Sequence, residues 1–290
     1  MNLDVPPSPV LRRQRRLPWL KVLWRTAQVF LVAYLAVLLL AMLLEEFLIF
    51  FPSKFPAGDW DIAGLPVEDA EFTATDGSRL HGWYIPHPQP TAYILFLHGN
   101  AGNITHRIDA LESLYRDVQA SVLILDYRGY GKSEGRPNER GVLQDARAAR
   151  AWLANRASVD ESEIVLLGES LGGGVAVDLA AEVCPRALVL QNAFTSMPDV
   201  AAVHYPFLPA RLLMNTQLNS LAKIKSCPAP LFQCHGTADE VVPYEQGERL
   251  FAASPATNKE FLELRGGHND LLPAEYYTRL RKFLAANPTP

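Results

Sequence analysis

In the run GESLGGGVA, from Gly168 to Ala176, Ser170 stands between glycines two residues away on either side. A hydroxyl surrounded by so little side chain suits four arrangements. A phosphate loop of the form G-x-x-x-x-G-K-[ST] fits from Gly168 to Gly173 but needs a lysine where Gly174 stands. A dinucleotide loop takes G-x-G from Gly172 and Gly174, then meets Val177 where its third glycine belongs. Small residues also let a helix pack closely on a sheet. The fourth arrangement is a sharp strand-to-helix turn that lifts a serine nucleophile clear of its neighbours. It needs partners elsewhere in the chain, because a serine hydroxyl is a weak nucleophile at neutral pH and requires an adjacent base.

The elements that would position such partners are visible as short apolar runs: Ala92–Leu97, Ser121–Tyr127, Glu163–Gly168, Ala187–Asn192, Ala229–Cys234 and Glu260–Leu264. Runs without polar alternation suit strands covered on both faces, as in parallel sheets. A hairpin precedes them, with Glu71–Thr75 and Arg79–Pro86 on either side of a DGS turn. Helical stretches alternate with the runs. Asn138–Ala157 places Val142, Ala146, Ala149, Trp152 and Leu153 on one face, and Ala176–Val183, Tyr244–Ala253 and Ala274–Ala286 also read as helices. The expected fold is α/β, a mostly parallel central sheet with helices on both faces. In such sheets ligands sit at the carboxyl ends of the strands.

Chemistry-bearing residues follow several of those strand ends. Ser170 falls after the third run, Asp239 within HGTADEVVP after the fifth, and His268 within RGGHND after the sixth. His268 can take the serine proton and return it to a leaving group, with Asp239 holding the imidazole in the right tautomer. Glu240 is the neighbouring rival for the acid. An oxyanion needs backbone donors: the N–H of Leu171, after the nucleophile, and that of Asn100 in HGNAGN after the first run, with Ala101 as second choice. His98 and His235 read as hydrogen-bonding residues at turns, and Asp126 as a carboxylate anchoring a loop. His81, His87, His106 and His204 show no ligand spacing, so neither a metal nor a cofactor is expected. RGYGKSEG reads as a structural turn rather than a phosphate site.

Chain order Ser, Asp, His with GESLG resembles the α/β-hydrolases. More narrowly, the chain is similar to the small single-pass, membrane-anchored α/β-hydrolase-domain proteins of bacteria and eukaryotes. The resemblance rests on HGNAGN, DYRGYGKSEG, GESLGGGVA, HGTADEVVP and GGHND, spread over about residues 70–285. It implies serine-dependent hydrolysis of esters, thioesters or amides without metal, through Ser170, Asp239 and His268. The extended Gly-Gly-Gly oxyanion loop of certain esterases is replaced here by HGNAG, which sets the chain apart from them.

The remaining sequence bounds the setting. Ala27–Leu44 is 18 residues without a charge, just long enough to cross a bilayer. Arg12, Arg13, Arg15, Arg16, Lys21 and Arg25 precede it, and Glu45 and Glu46 follow. The expected organisation is a basic segment over 1–26, a transmembrane anchor over 27–50, a Pro- and Gly-rich linker over 51–66 and a catalytic domain over 67–290. The charge asymmetry sends that domain to the non-cytoplasmic side. Residues 1–44 carry a net +5, so the rest carries −9, which argues against a nucleic-acid partner. Cys184, Cys227 and Cys234 form no C-x-x-C pair. A Cys184–Cys227 or Cys227–Cys234 bridge stays open. The segment 193–225, with Phe194, Met197, Tyr205, Phe207, Leu208, Leu212, Leu213 and Met214, reads either as a crossover or as a short lid lining an acyl pocket. The expected partner is an acyl-bearing small molecule, lipid or acylated protein. The alternative is a catalytically silent hydrolase-fold scaffold that binds a ligand or protein at the membrane.

Overall fold

The computed structural model describes residues 18–288. The basic residues Arg12, Arg13, Arg15 and Arg16 lie outside the described residues. The chain divides into two units, Met1–Leu43 and Leu44–Pro290. The described part of the first is one helix, α1 (Pro18–Leu43). Its stretch Trp19–Leu43, 25 residues, is apolar and long enough to cross a membrane.

The second unit opens with a five-residue helix, α2 (Glu45–Ile49), and a two-residue strand, β1 (Phe51–Pro52). Both lie in the stretch expected to hold the end of the anchor and the start of a linker. The hairpin follows as β2 (Glu68–Thr73) and β3 (Arg79–Ile85), then β4 (Ala92–Leu97), β5 (Ala101–Gly102), α3 (Ile108–Arg116), β6 (Ala120–Asp126), α4 (Glu139–Ala157), β7 (Val165–Glu169) and α5 (Leu171–Glu182). After β8 (Ala187–Gln191) come three short helices, α6 (Met197–His204), α7 (Ala210–Leu213) and α8 (Ser220–Lys223). The chain ends with β9 (Leu231–Gly236), α9 (Tyr244–Ala253), β10 (Lys259–Leu264) and α10 (Ala274–Ala286).

Eight strands form one sheet in the order β10-β9-β8-β7-β4-β6-β3-β2. Neighbours are parallel except β2 with β3 and β3 with β6. The apolar runs are explained by a core on each face. Leu95, Leu97, Leu123, Leu125, Leu166 and Leu190 point to the face covered by α4 and α5. Their neighbours Ile94, Phe96, Val122, Ile124, Val165 and Val189 point to the opposite face, against Leu111 and Leu114 of α3 and Leu280 and Phe283 of α10. Alternate residues are buried on opposite sides, so no polar position remains to mark the period. Each such side chain stabilises the fold by about 1.5–3 kcal/mol on transfer from water. The three cysteines are unbridged.

The topology fixes where a ligand can approach. From β4 the chain proceeds to β6 on one side, and β7 to β10 build out on the other. The order therefore reverses between β4 and β7, whose residues Leu97 and Gly168 lie side by side. In open α/β sheets ligands bind at such a switch point, outside the carboxyl ends of the strands.

Candidate active site

Ser170 sits between the last residue of β7 and the first of α5, with φ 52° and ψ −115°. This is left-handed, sparsely populated backbone for a side chain, held by its surroundings. The Ser170 N–H donates to the Gln191 carbonyl at 2.9 Å, and its own carbonyl accepts from the Gly173 N–H at 2.9 Å. The flanking glycines are steric necessities. A Cβ on Gly172 would lie 1.9 Å from the Leu97 carbonyl oxygen, and one on Gly168 would lie 2.4 Å from the Gly172 carbonyl oxygen. The spacing singled out in the sequence is thus the spacing at which α5 crosses against β4 and β7.

The structure brings Ser170, His268 and Asp239 together. Ser170 Oγ is 2.9 Å from His268 Nε2, and His268 Nδ1 is 2.7 Å from Asp239 Oδ2. An ionised carboxylate only accepts, so Nδ1 carries the proton and Nε2 is left to accept from the serine hydroxyl. Asp239 Oδ1 accepts the N–H groups of Val241 and Val242, each at 2.8 Å. Burial by itself would raise the Asp239 pKa. The hydrogen bonds from His235 and His268, joined by the loop N–H, more than offset burial and hold the carboxyl well below its usual range. Asp239, not Glu240, faces the imidazole.

Leu171 is the first residue of α5, so its N–H belongs to the orphan donors of a helix start. Asn100 follows β4 across the switch point. Its carbonyl accepts from Phe51 N–H at 3.0 Å and Tyr130 Oη–H at 2.7 Å, and its Nδ2 donates to the Ile49 carbonyl at 2.9 Å. These bonds fix the plane of the loop. No backbone carbonyl accepts from the Asn100 N–H among the described residues.

His98 is fully buried and donates from Nδ1 to the Gly99 carbonyl at 2.7 Å. Burial, then the nearby Arg107 guanidinium, push its pKa down to about 3, so it stays a neutral support of the loop. His235 binds the Val242 carbonyl through Nε2 at 2.9 Å. Asp126 accepts from the Ile104 N–H at 3.1 Å, at the start of the turn that leads into α3. Within RGYGKSEG, Arg128 is paired with Asp145 and Asp76, and Tyr130 supports Asn100.

Several supporting residues escaped the sequence. Glu169 receives the Arg107 guanidinium at 2.7 and 2.8 Å, joining the serine turn to the loop after β4. Asn192, at φ 49°, donates to the His268 carbonyl at 2.8 Å and accepts from Gly236 N–H at 3.0 Å. It follows β8 directly, so reading every strand end, that of β8 included, would have found it. Glu45 is buried, and its carboxylate accepts the N–H groups of Asn215 at 3.0 Å and Thr216 at 2.6 Å. Glu139 does the same for Gln217 and Leu218 at 2.6 and 2.9 Å. The segment 215–218, between α7 and α8, is thereby clamped by two carboxylates.

This fold, with a serine on the turn between β7 and α5, defines the class of protein. The family model for the alpha/beta hydrolase fold matches residues 93–223. An uncharacterized protein of Mycobacterium tuberculosis is 42% identical over 226 residues, 77% of this chain and 80% of that one. An uncharacterized membrane protein of Saccharomyces cerevisiae is 33% identical over 232 residues, 77% of this chain and 81% of that one. Among solved structures, an esterase of Pyrococcus furiosus is similar in fold, with a TM-score of 0.68 and 22% identity over 82% of this chain and 97% of that one. An alpha/beta hydrolase domain-containing protein of Arabidopsis thaliana is 37% identical over 227 residues, 70% of this chain and 72% of that one, and the chain belongs to the α/β-hydrolase family.

Proposed function

We propose that the chain is a serine hydrolase that cleaves acyl esters or thioesters, and amides by the same route, through a covalent acyl-enzyme. The observation that carries the reading is the unbroken line from Ser170 Oγ through His268 to Asp239, at 2.9 and 2.7 Å. In the first step Ser170 Oγ attacks the acyl carbonyl carbon while His268 Nε2 takes its proton. The N–H groups of Leu171 and Asn100 receive the oxyanion, each worth about 3–4 kcal/mol by precedent. The bond to the leaving oxygen, sulfur or, for an amide, nitrogen then breaks, and His268 returns the proton to that atom. A water attacks the acyl carbonyl carbon while His268 takes its proton; the bond to Ser170 Oγ then breaks, His268 returns the proton to Oγ, and the carboxylic acid leaves. Asp239, ionised throughout, stabilises the imidazolium formed in each half.

In this reading α1 is a single-span anchor and the second unit lies on the non-cytoplasmic side. Support comes from the length and apolarity of Trp19–Leu43, from Lys21 and Arg25 before the apolar core against Glu45 and Glu46 after it, and from a relative named as a membrane protein. The test of function is hydrolysis of p-nitrophenyl esters and acyl thioesters of graded chain length. Turnover that depends on Ser170 supports the reading. Absence of turnover across both series, in folded protein, favours a scaffold that binds without cleaving. Protease added to intact spheroplasts tests the side: digestion of the second unit is expected, and protection until the membrane is permeabilised would place it in the cytoplasm.

A further inference from the structure

Exposed apolar side chains follow the end of α1, among them Phe47 and Leu48 on α2 and Phe51 on β1. On α2 the buried positions are Glu45 and Ile49, so Phe47 and Leu48 form its outward side. Tyr205 and Leu212 are among the apolar side chains that stand exposed on the segment between β8 and β9. Phe47 is 68% exposed and Leu212 is 81% exposed. Scattered surface hydrophobics are ordinary. Here hydrogen bonds connect the segments that carry these side chains to one another and to loops beside the serine. Glu45 binds the N–H groups of Asn215 and Thr216, just past α7, which carries Leu212. Phe51 N–H donates to the carbonyl of Asn100, in the loop facing Ser170. At the other end His204 donates to the Val241 carbonyl at 2.8 Å, two residues from Asp239. The apolar residues are therefore tied, by bonds within the second unit, to the loops that surround Ser170.

Chain connectivity says what covers them. Leu43 ends the candidate span, and Phe47 follows four residues later. Four residues reach at most about 14 Å even when extended, so with α1 in a bilayer Phe47 and Leu48 stay within reach of its interface, and Glu45 holds the segment just past α7 against the same short helix. Phe and Leu are side chains that partition there. We propose that this face is a bilayer-docking surface that turns the Ser170 mouth toward the lipid, so that the substrates are acyl groups borne by the membrane. The inference rests on the anchored-hydrolase reading above, and it adds the surface and the substrate class.

The test uses the full-length chain reconstituted in phosphatidylcholine vesicles. A polarity-sensitive fluorophore is placed at Leu212→Cys or, as reference, at Lys282→Cys on α10, both with Cys184→Ser because Cys227 and Cys234 are buried. Lipids carrying a quencher in the acyl region should quench the probe at 212 several-fold more than at 282. Equal quenching at the two positions overturns the proposal. In parallel, Phe47→Ser with Leu48→Ser should lower turnover of a vesicle-embedded long-chain ester about tenfold or more, given the apolar area lost, with a soluble butyrate ester unchanged within about twofold. Equal losses on both substrates also overturn it. Selective quenching at 212 in a chain that hydrolyses neither ester would leave the docking surface standing and remove the hydrolase assignment.

Discussion

The carboxylate of Glu45 accepts hydrogen bonds from the backbone of Asn215 and Thr216, 170 and 171 residues further along the chain. Removing it leaves the buried Thr216 N–H without its acceptor, at a cost of about 1–3 kcal/mol, while the exposed Asn215 N–H can turn to water. Glu45→Ala is therefore expected to loosen residues 214–218 and to lower kcat/KM. Glu45→Gln, which keeps an acceptor oxygen, is expected to do so less. Amide exchange at Asn215 and Thr216 checks this; exchange as slow as in the unsubstituted chain would show that the bond contributes nothing.

Gly172→Ala places a methyl group 1.9 Å from the Leu97 carbonyl oxygen. Backbone on both sides prevents relief by a rotamer change, so the loss of stability should reach about 3 kcal/mol or more. Denaturant titration reads it directly. A midpoint within error of the unsubstituted chain would contradict the close crossing of α5 over β4.

His98 carries a sign that can be checked. Its folded-state pKa, pushed down to about 3, lies below the unfolded value of about 6.5. The unfolded chain takes up the proton first. The stability contribution is thus complete above about pH 6.5 and is lost as pH falls toward 3, by up to about 1.4 kcal/mol per unit. The Tm should fall across this window, and His98→Asn should flatten the fall. Parallel slopes for the two proteins would show that His98 is not the group responsible.

Asp239 is held well below the usual carboxylate range by the hydrogen bonds it accepts, so it stays ionised through the neutral and mildly acidic range. The acid limb of log kcat/KM is expected to have a slope of one, and Asp239→Asn should lower kcat about 10⁴-fold at neutral pH with the fold intact. A slope of two above pH 4 would mean that two groups titrate together, which the geometry of Asp239 does not allow.

Much of this arrangement was legible because α/β sheets put chemistry at strand ends. The runs that became β4, β6, β7 and β8 are apolar on both faces, and Ser170, Asp239 and His268 follow strands. What escaped has physical reasons. α5 starts at Leu171 rather than at Ala176. Three consecutive glycines each disfavour a helix by about 1 kcal/mol, and close packing on β4 and β7 overrides that preference. α7 and α8 have four residues each, too few to display a period. β1 exists because Phe51–Pro52 pairs with Ala101–Gly102, a partner about 50 residues away that no local pattern announces. In the same way Glu45 reads locally as a charge after an apolar helix, and its role depends on chain contributed by residues 215 and 216.

The central claim is that Ser170 is a nucleophile activated by His268, 2.9 Å away. Treatment of the full-length protein with a fluorophosphonate, followed by intact-mass and peptide analysis, tests it most directly. The expected result is one covalent adduct per chain, on the peptide containing Ser170, lost in Ser170→Ala and slowed by orders of magnitude in His268→Ala. A folded, unlabelled wild-type chain, or a Ser170→Ala variant that labels as fast as the wild type, would contradict it.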